Sequence, residues 1–313
     1  MIYKVALIGY GYWGPKLARN FLNSNNFEIS CIVDKSLNNL NKAKKIFPTS
    51  KFYQNHKMIN VNEIDLVVIC SPTKFHYEMA KFFLKSNHVL VEKPLSLNLK
   101  KVAELERWSK KNNKLLFVDY PFIFSGSINF VYKIIKNKKF GKLLEIESFR
   151  EQAPIRNDAN VVWDLGVHDI SILKYILNSN PIMVRGLKYN TAKIKMKDTA
   201  YINLLYKNNL KVFIKNSWIS PTKIRLIKFK FQNAIITCDE NEPLYKIKIY
   251  KKDNKNSSRY KLEIPDIDIS EPLYNLVNYI YKSIKKKQNP IFDKNFNVSI
   301  TKVLEKIKDD KIL

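Results

Sequence analysis

Two apolar periods alternate along the first part of this chain. Short unbroken apolar runs at residues 5–8, 28–33, 64–70, 88–91 and 114–118 read as strands of a parallel sheet buried on both faces, with a short strand near 51–53. Between them the apolar residues fall at helical spacing. Leu17, Ala18, Phe21 and Leu22 line one face of a first helix, and further helices are expected over 37–47 (closed by Pro48), 74–85 and 98–112. Strand, turn and helix in this rhythm predict a doubly wound sheet whose right-handed crossovers bring the carboxyl ends of the strands to one rim.

After Asp119 the rhythm changes. A helix over 125–138 leads through Gly141 into a strand over 143–150, followed by a helical stretch around 163–177. Beyond Pro181 strands dominate, at 182–189, 199–206, 210–218, 223–231 and 234–239, with Lys207-Asn208-Asn209 as a hairpin turn. Helices over 272–287 and 298–308 close the chain, and no repeat at a fixed period is visible.

The first strand runs directly into Gly9-Tyr-Gly-Tyr-Trp-Gly14. In a G-x-G-x-x-G turn the first glycine makes the corner, the second lets a pyrophosphate approach the backbone, and the third lets the helix pack close to the strand. The helix then points its free N–H groups at the phosphates. Pro15 suits the first helical turn. Asp34, twenty residues after Gly14 at the end of the second strand, is where an acid meets the adenosine ribose. A carboxylate there favours NAD over NADP, and Lys35 beside it softens that preference. The fold class is therefore α/β: an N-terminal Rossmann doubly wound parallel sheet over 1–120, then a C-terminal α+β domain over 121–313 built on a large mixed or antiparallel sheet. The second domain is expected to bind substrate and to oligomerise, with the C-terminal helices packing back on the first.

Composition narrows the partners. Of 55 basic residues, against 28 acidic ones, only seven are arginine, and lysine is spread along the whole chain. Readers of bases and phosphates lean on the arginine fork, so the net charge of +27 does not point to a nucleic-acid partner; it would attract a phosphorylated or carboxylated small substrate. No apolar run is long enough for a membrane span, and three scattered cysteines, Cys31, Cys70 and Cys238, read as reduced core residues of a cytoplasmic protein. Four histidines without paired spacing leave no metal site in view.

Three further stretches carry candidate chemistry. Ser71-Pro72-Thr73 lies on the strand rim; Thr73 can bond a cofactor, cap the helix expected to begin at Lys74, or do both. Glu92-Lys93-Pro94 puts two charges at the end of a buried strand, so that Lys93 is either a catalytic or substrate-orienting ammonium or a surface charge. Asp164 and His168 stand four residues apart on a helical segment, on one face. A carboxylate beside an imidazole raises its proton affinity and suits a general acid or base, although for an arbitrary pair a structural histidine is the commoner role.

Taken in order, these stretches resemble the Gfo/Idh/MocA family, named for glucose-fructose oxidoreductase and inositol dehydrogenase. Gly9-Tyr-Gly-Tyr-Trp-Gly14 is similar to its cofactor loop, Ser71-Pro72-Thr73 with His76 to its post-strand turn, Glu92-Lys93-Pro94 to its signature tripeptide, and Asp164-Leu-Gly-Val-His168 to its D-x-G-x-H motif. The resemblance implies an oxidoreductase using NAD, with NADP the alternative, on a carbohydrate-like alcohol. The implied cofactor set is Gly9, Gly11, Tyr12, Trp13, Gly14, Asp34, Lys35, Ser71, Pro72, Thr73, His76, Glu92 and Lys93. Lys93 and His168 then contact the hydroxyl being oxidised and Asp164 positions or polarises them. His168 is the preferred base and Lys93 the stabiliser of charge on oxygen, with the swapped roles left open. Many relatives have an aspartate three residues past the histidine, where this chain has Ser171; Asp169 either substitutes for it or faces solvent.

A subgroup resembling the dehydrogenases of bacterial surface-polysaccharide pathways shares the G-Y-x-Y-W-G-P start and the N-V-x-W-D-L-x-x-H-D-I-S-I-L stretch. It implies a nucleotide-activated sugar as substrate and adds Arg156 and Asn160 to Lys93, Asp164 and His168 as substrate-binding candidates, near Asp158. Arg156 pairs with a diphosphate or carboxylate, or is an ordinary loop arginine. Trp163 and Trp218 stack on a ligand or, more ordinarily, pack the core. The rival functions are a keto-sugar reductase, a dehydrogenase of free sugars or inositols, and a non-catalytic NAD-binding sensor. A homo-oligomer, dimer or tetramer, is expected through the open face of the second sheet.

Overall fold

The computed structural model describes residues 2–192, 194–253, 259–289, 291–292 and 295–309. The chain divides into two compact units, Met1–Pro121 with Glu271–Thr301, and Phe122–Ser270 with Lys302–Leu313.

The first unit alternates strand and helix: β1 (Tyr3–Ile8), α1 (Gly14–Leu22), β2 (Phe27–Val33), α2 (Leu37–Ile46), β3 (Lys51–Tyr53), β4 (Leu66–Ile69), α3 (His76–Phe83), β5 (His88–Glu92), α4 (Leu99–Lys111) and β6 (Leu116–Asp119). All six strands are parallel, in the order β3-β2-β1-β4-β5-β6. Val5–Leu7, Leu66–Ile69, Val89–Val91, Phe117 and Val118 are fully buried, which is why these runs are unbroken rather than alternating. The order reverses between β1 and β4, so the connections after those two strands part to opposite faces and leave a crevice at their carboxyl ends. Side chains start two of the helices: Ser36 Oγ accepts from the Asn39 N–H for α2, and Asn98 Oδ1 accepts from the Lys101 N–H for α4. Helix α3 begins at His76, so Thr73 opens a 3-10 turn, Thr73–Phe75, instead of capping a helix at Lys74.

His88 opens β5 with its ring mostly buried, and its Nδ1 accepts the Leu115 N–H at 2.9 Å. Burial, then the Lys114 cation, lowers its pKa to about 4. The folded chain therefore binds fewer protons than the unfolded one between pH 6.5 and 4, and stability is lost as pH falls through that window. The expected loss is about 3 kcal/mol, readable from urea melts at pH 7 and pH 4, and His88→Asn should remove most of the difference.

In the second unit, α5 (Gly126–Lys136) is capped by Ser125 and leads into β7 (Leu143–Glu151). The Glu240 carboxylate accepts from the hydroxyls of Ser125 and Ser127 at the start of α5, where a negative charge complements the helix dipole. A π-helical turn, Val162–Gly166, runs straight into α6 (Val167–Leu177). Then come β8 (Met183–Tyr189), β9 (Thr199–Leu205), β10 (Lys211–Ser217), β11 (Ile224–Phe231), β12 (Ala234–Asp239), β13 (Ile247–Lys252) and β14 (Tyr260–Glu263). The chain closes with α7 (Pro272–Lys286), which packs on α1 in the first unit, α8 (Phe296–Glu305) and the two-residue β15 (Lys308–Asp309).

The second sheet has the order β14-β13-β12-β11-β7-β10-β9-β8-β15. Its neighbours are antiparallel except β7 with β10 and β8 with β15. Lys207–Asn209 does turn the chain between β9 and β10, with Asn208 at φ 63° and Asn209 at φ 60°, a conformation asparagine tolerates. Strands β13 and β14 escape the sequence pattern because lysines interrupt them, as in Ile-Lys-Ile-Tyr-Lys-Lys, and β14 is largely exposed. Helix α8 stops at Glu305, so the end of the helix expected over 298–308 is β15 instead. No helix among the described residues is long and apolar enough to cross a membrane.

Candidate functional site

The glycine loop is shaped by two close approaches and one opening. Gly9 has φ +96°, and a Cβ there would lie 2.6 Å from the Cys70 carbonyl oxygen; a Cβ on Gly14 would overlap the carbonyl of Gly9. These two glycines pack β1 and α1 against their neighbours. Gly11 differs, because nothing lies within 4 Å of where its Cβ would be. Helix α1 starts at Gly14 without a side-chain cap; Pro15 has no N–H to satisfy, and the N–H groups of Lys16 and Leu17 bond the Trp13 carbonyl. An open cradle at Gly11 over an uncapped helix start fits a dinucleotide pyrophosphate. Tyr12 is 70% exposed and stands edge-on to Trp13 at 5.4 Å, with Lys16 Nζ 3.7 Å from the Tyr12 ring centroid.

Asp34 does more than wait for a ribose. Its Oδ2 accepts from the Tyr10 N–H at 2.7 Å and from Asn39 Nδ2 at 3.2 Å, while Oδ1 accepts from the Ser36 N–H at 2.8 Å. The carboxylate thereby ties the end of β2 to the glycine loop and retains acceptor capacity. Lys35 is exposed, with Nζ 5.4 Å from the Phe75 ring.

On the other side of the crevice, His76 is 1% exposed and joins two of the expected motifs. Its Nδ1 lies 2.8 Å from the Pro94 carbonyl and its Nε2 2.6 Å from the Ser71 carbonyl. Both nitrogens thus face protein oxygens, and His76 holds the Ser71-Pro72-Thr73 turn to Glu92-Lys93-Pro94. Lys93 is 4% exposed, which removes the surface-charge alternative, and Glu92 is 5% exposed. Asp119, absent from the sequence candidates, pairs in register with Glu92 and is completely buried. The signal was there: like Glu92, it is an acid ending an apolar run.

The second unit assembles the other motif. Asn160 Oδ1 accepts from the N–H groups of Val162 and Trp163, starting the π-helical turn. Asp164 Oδ2 accepts from Trp218 Nε1 at 3.0 Å, and its Oδ1 lies 3.5 Å from Arg156 Nη1. Arg156 also grips Asp158 through two bonds of 2.9 Å. Trp218, 54 residues from Asp164 in sequence, is thus both a core residue and the carboxylate's partner, and no local pattern announced it. His168 is 8% exposed and packs edge-on to Phe122 at 4.9 Å.

Asp169 does not face solvent. At 1% exposure it accepts from Ser148 Oγ (2.8 Å), Arg150 Nε (3.2 Å) and Asn216 Nδ2 (2.8 Å). Gly166 lets the same network approach closely, since a Cβ there would lie 2.8 Å from Asn216 Oδ1 and the amide would have to shift. The Arg150 guanidinium stacks on Phe122 at 4.3 Å, so Phe122 touches both Arg150 and His168. Ser171 donates to the His168 carbonyl at 2.8 Å within its own helix.

A parallel sheet in this order, with a glycine corner at its switch point and an acid at the end of β2, is the architecture of a dinucleotide-binding domain. Comparison with known proteins narrows it. Residues 3–120 match the model described as "Oxidoreductase family, NAD-binding Rossmann fold" and residues 128–239 match the "GFO/IDH/MocA C-terminal domain". The chain belongs to the Gfo/Idh/MocA family, and it is an NAD(P)-dependent oxidoreductase acting on CH–OH groups. It is 28% identical over 228 residues to the myo-inositol 2-dehydrogenase of Thermotoga maritima, 68% of each chain. Its fold is similar to that of the UDP-N-acetylglucosamine 3-dehydrogenase of Acidithiobacillus ferrooxidans, with a TM-score of 0.85, 17% identity, and 98% and 97% of the two chains covered. A 3-ketoreductase of Actinomadura kijaniata, solved with TDP-benzene and NADP, matches with a TM-score of 0.87 and 12% identity over 99% of both chains.

Proposed function

We propose that the protein moves a hydride between a ring hydroxyl of a nucleotide-activated sugar and NAD, within surface-polysaccharide synthesis. The observation that carries this reading is that Lys93, Asp164 and His168, the motif residues with acid–base chemistry, are all buried, at 4%, 7% and 8% exposure. Buried titratable groups need a reason, and proton handling is one. The nucleotide part rests on the two solved relatives named above, one a UDP-sugar dehydrogenase and the other holding a TDP ligand.

Gly9, Gly11, Gly14 and the start of α1 would hold the pyrophosphate, with Tyr12 and Trp13 beside it. Asp34 would take the adenosine ribose, and its charge disfavours the extra phosphate of NADP. Ser71, Pro72, Thr73 and Glu92 line the facing rim. Bound NAD supplies the hydride acceptor. As the carbonyl forms, His168 takes the hydroxyl proton, and the Lys93 ammonium donates to the oxygen on which negative charge develops. Asp164, held by Trp218 and Arg156, orients the histidine motif. Arg156, gripped by Asp158 and Asp164, serves that carboxylate first. The protomer assembles into a homo-oligomer through the second sheet, where Leu187, Tyr201 and Phe213 on three neighbouring strands are exposed at 41%, 50% and 43%.

The test is nicotinamide absorbance with NAD or NADP against a panel of UDP- and TDP-sugars, free sugars and inositols, in both directions. Turnover on a nucleotide sugar is expected. Turnover confined to free sugars or inositols would replace the nucleotide part of the reading, and cofactor binding without any turnover would favour a sensor.

A further inference from the structure

Two neighbouring residues of α6, His168 and Asp169, are joined a second time through space. The His168 backbone is fixed in the helix, where its carbonyl accepts from Ser171 Oγ at 2.8 Å. The plane of its imidazole turns about a broad, roughly two-fold side-chain torsion. Phe122 meets that ring edge-on, with centroids 4.9 Å apart and planes at 81°. Phe122 is itself pinned at the backbone, because its carbonyl accepts from both the N–H and the hydroxyl of Ser125, at 3.1 and 2.9 Å. Its ring carries the Arg150 guanidinium, whose carbon lies 4.3 Å from the ring centroid. Arg150 Nε in turn donates to Asp169 at 3.2 Å. The contacts therefore run from His168 to Phe122, Arg150 and Asp169, and close through the peptide bond between residues 168 and 169.

We propose that Phe122 is a positioning residue for His168: gripped by Arg150, it fixes the plane of the imidazole so that a ring nitrogen faces the substrate hydroxyl. The inference rests on the role given to His168 above. A general base acts only with its nitrogen in line with the proton and within hydrogen-bond reach of it, and a misplacement of about 1 Å costs up to about a hundredfold in rate. Adjacent residues of a helix do not face each other, so Asp169 reaches the imidazole through Arg150 and Phe122.

The residue types fit a clamp better than a filler. An apolar side chain would occupy the space beside Phe122 without burying a charge, yet Arg150 is 2% exposed and its partner Asp169 1%. A planar guanidinium stacks on an aromatic face, and desolvation strengthens that contact. Asp169 supplies the counter-charge and takes donors from two strands, Ser148 and Arg150 on β7 and Asn216 on β10, so the grip on Phe122 is anchored in the sheet. Phenylalanine then touches the imidazole without setting a charge or a hydrogen-bonding group against it.

Magnetic resonance spectra of the full chain with isotope-labelled histidine test the contact without any substrate. The chain has four histidines, and the His168 ring signal is the one missing from His168→Gln. In Phe122→Leu that signal should move as the aromatic ring current is lost, while those of His76 and His88 stay in place. Phe122→Tyr keeps the ring and should leave the signal near its wild-type position. With the substrate identified by the panel above, Phe122→Leu should lower kcat by about tenfold with KM changed less than about twofold, and Phe122→Tyr should recover most of that loss. Arg150→Lys keeps a cation for Asp169 but loses the stacking plane, so it should move the same signal and lower kcat in the same direction; it carries the test should Phe122→Leu fail to fold. An unmoved His168 signal, a moved signal with kcat unchanged, or leucine and tyrosine variants equally slow would each overturn the positioning role. If His168→Ala itself leaves turnover intact, the assignment of His168 fails, whatever the ring spectra show.

Discussion

Lys93→Ala and His168→Ala are each expected to lower kcat/KM by about a thousandfold, about 4 kcal/mol of transition-state stabilisation, while NAD still binds. The argument is electrostatic. A hydroxyl becoming a carbonyl must lose its proton as the hydride departs, and an alkoxide-like oxygen gains little from a neutral neighbour. In the proposed reading His168 is the base, with Asp164 nearby in its motif, and Lys93 is the cation, buried where its field would be weakly screened. Lys93→Met separates charge from packing, since it keeps a buried stem; it should be as slow as the alanine variant. Cofactor affinity, read by the fluorescence of bound NADH, should change little, because the glycine loop and Asp34 are untouched. A near-normal rate in one variant would remove that residue from its role.

Asp169→Ala is expected to cost about 3–5 kcal/mol of stability, the effect of leaving a buried charge without its partner, and to lower Tm by roughly 10 °C. Arg150 is 2% exposed and has one buried nitrogen, Nη1, with no hydrogen-bond partner, so Asp169 is the counter-charge it depends on. A second arginine sharpens the need. Arg225 stands opposite Arg150 in the β7–β11 ladder, and burial together with the Arg150 cation lowers its pKa to about 10. Asp169 opposes that effect of the Arg150 cation on Arg225, so without it the two cations on neighbouring strands repel with less compensation. The damage should reach activity as well, because Arg150 stacks on Phe122 and Phe122 packs against His168. Thermal melts alongside initial rates check both parts, and Asp169→Asn, which keeps an acceptor, should fall between the wild type and alanine.

Much of the first unit was legible in order along the chain. Buried parallel strands must be apolar throughout, so β1, β4 and β5 announce themselves, and Gly9 and Gly14 of the loop are demanded by close backbone contacts. The start of α3 was misplaced because a Thr before a helical run is also what a 3-10 turn uses. Strands β13 and β14 were missed because an outer strand with one face in water can be written largely in lysine and tyrosine.

The sequence by itself determined the class of fold, the cofactor loop and the order of the motifs, since each is a local pattern whose spacing already implies its backbone. Only the tertiary structure decided what those motif residues touch. It put Trp218 on Asp164 and closed Asp169 into a network with Arg150, Ser148 and Asn216. It also placed Asp119 against Glu92 and used both nitrogens of His76 to join two turns. These partners come from strands and loops up to 54 residues apart, brought together by sheet register and packing, and a side chain's charge depends on such neighbours more than on its place in the chain.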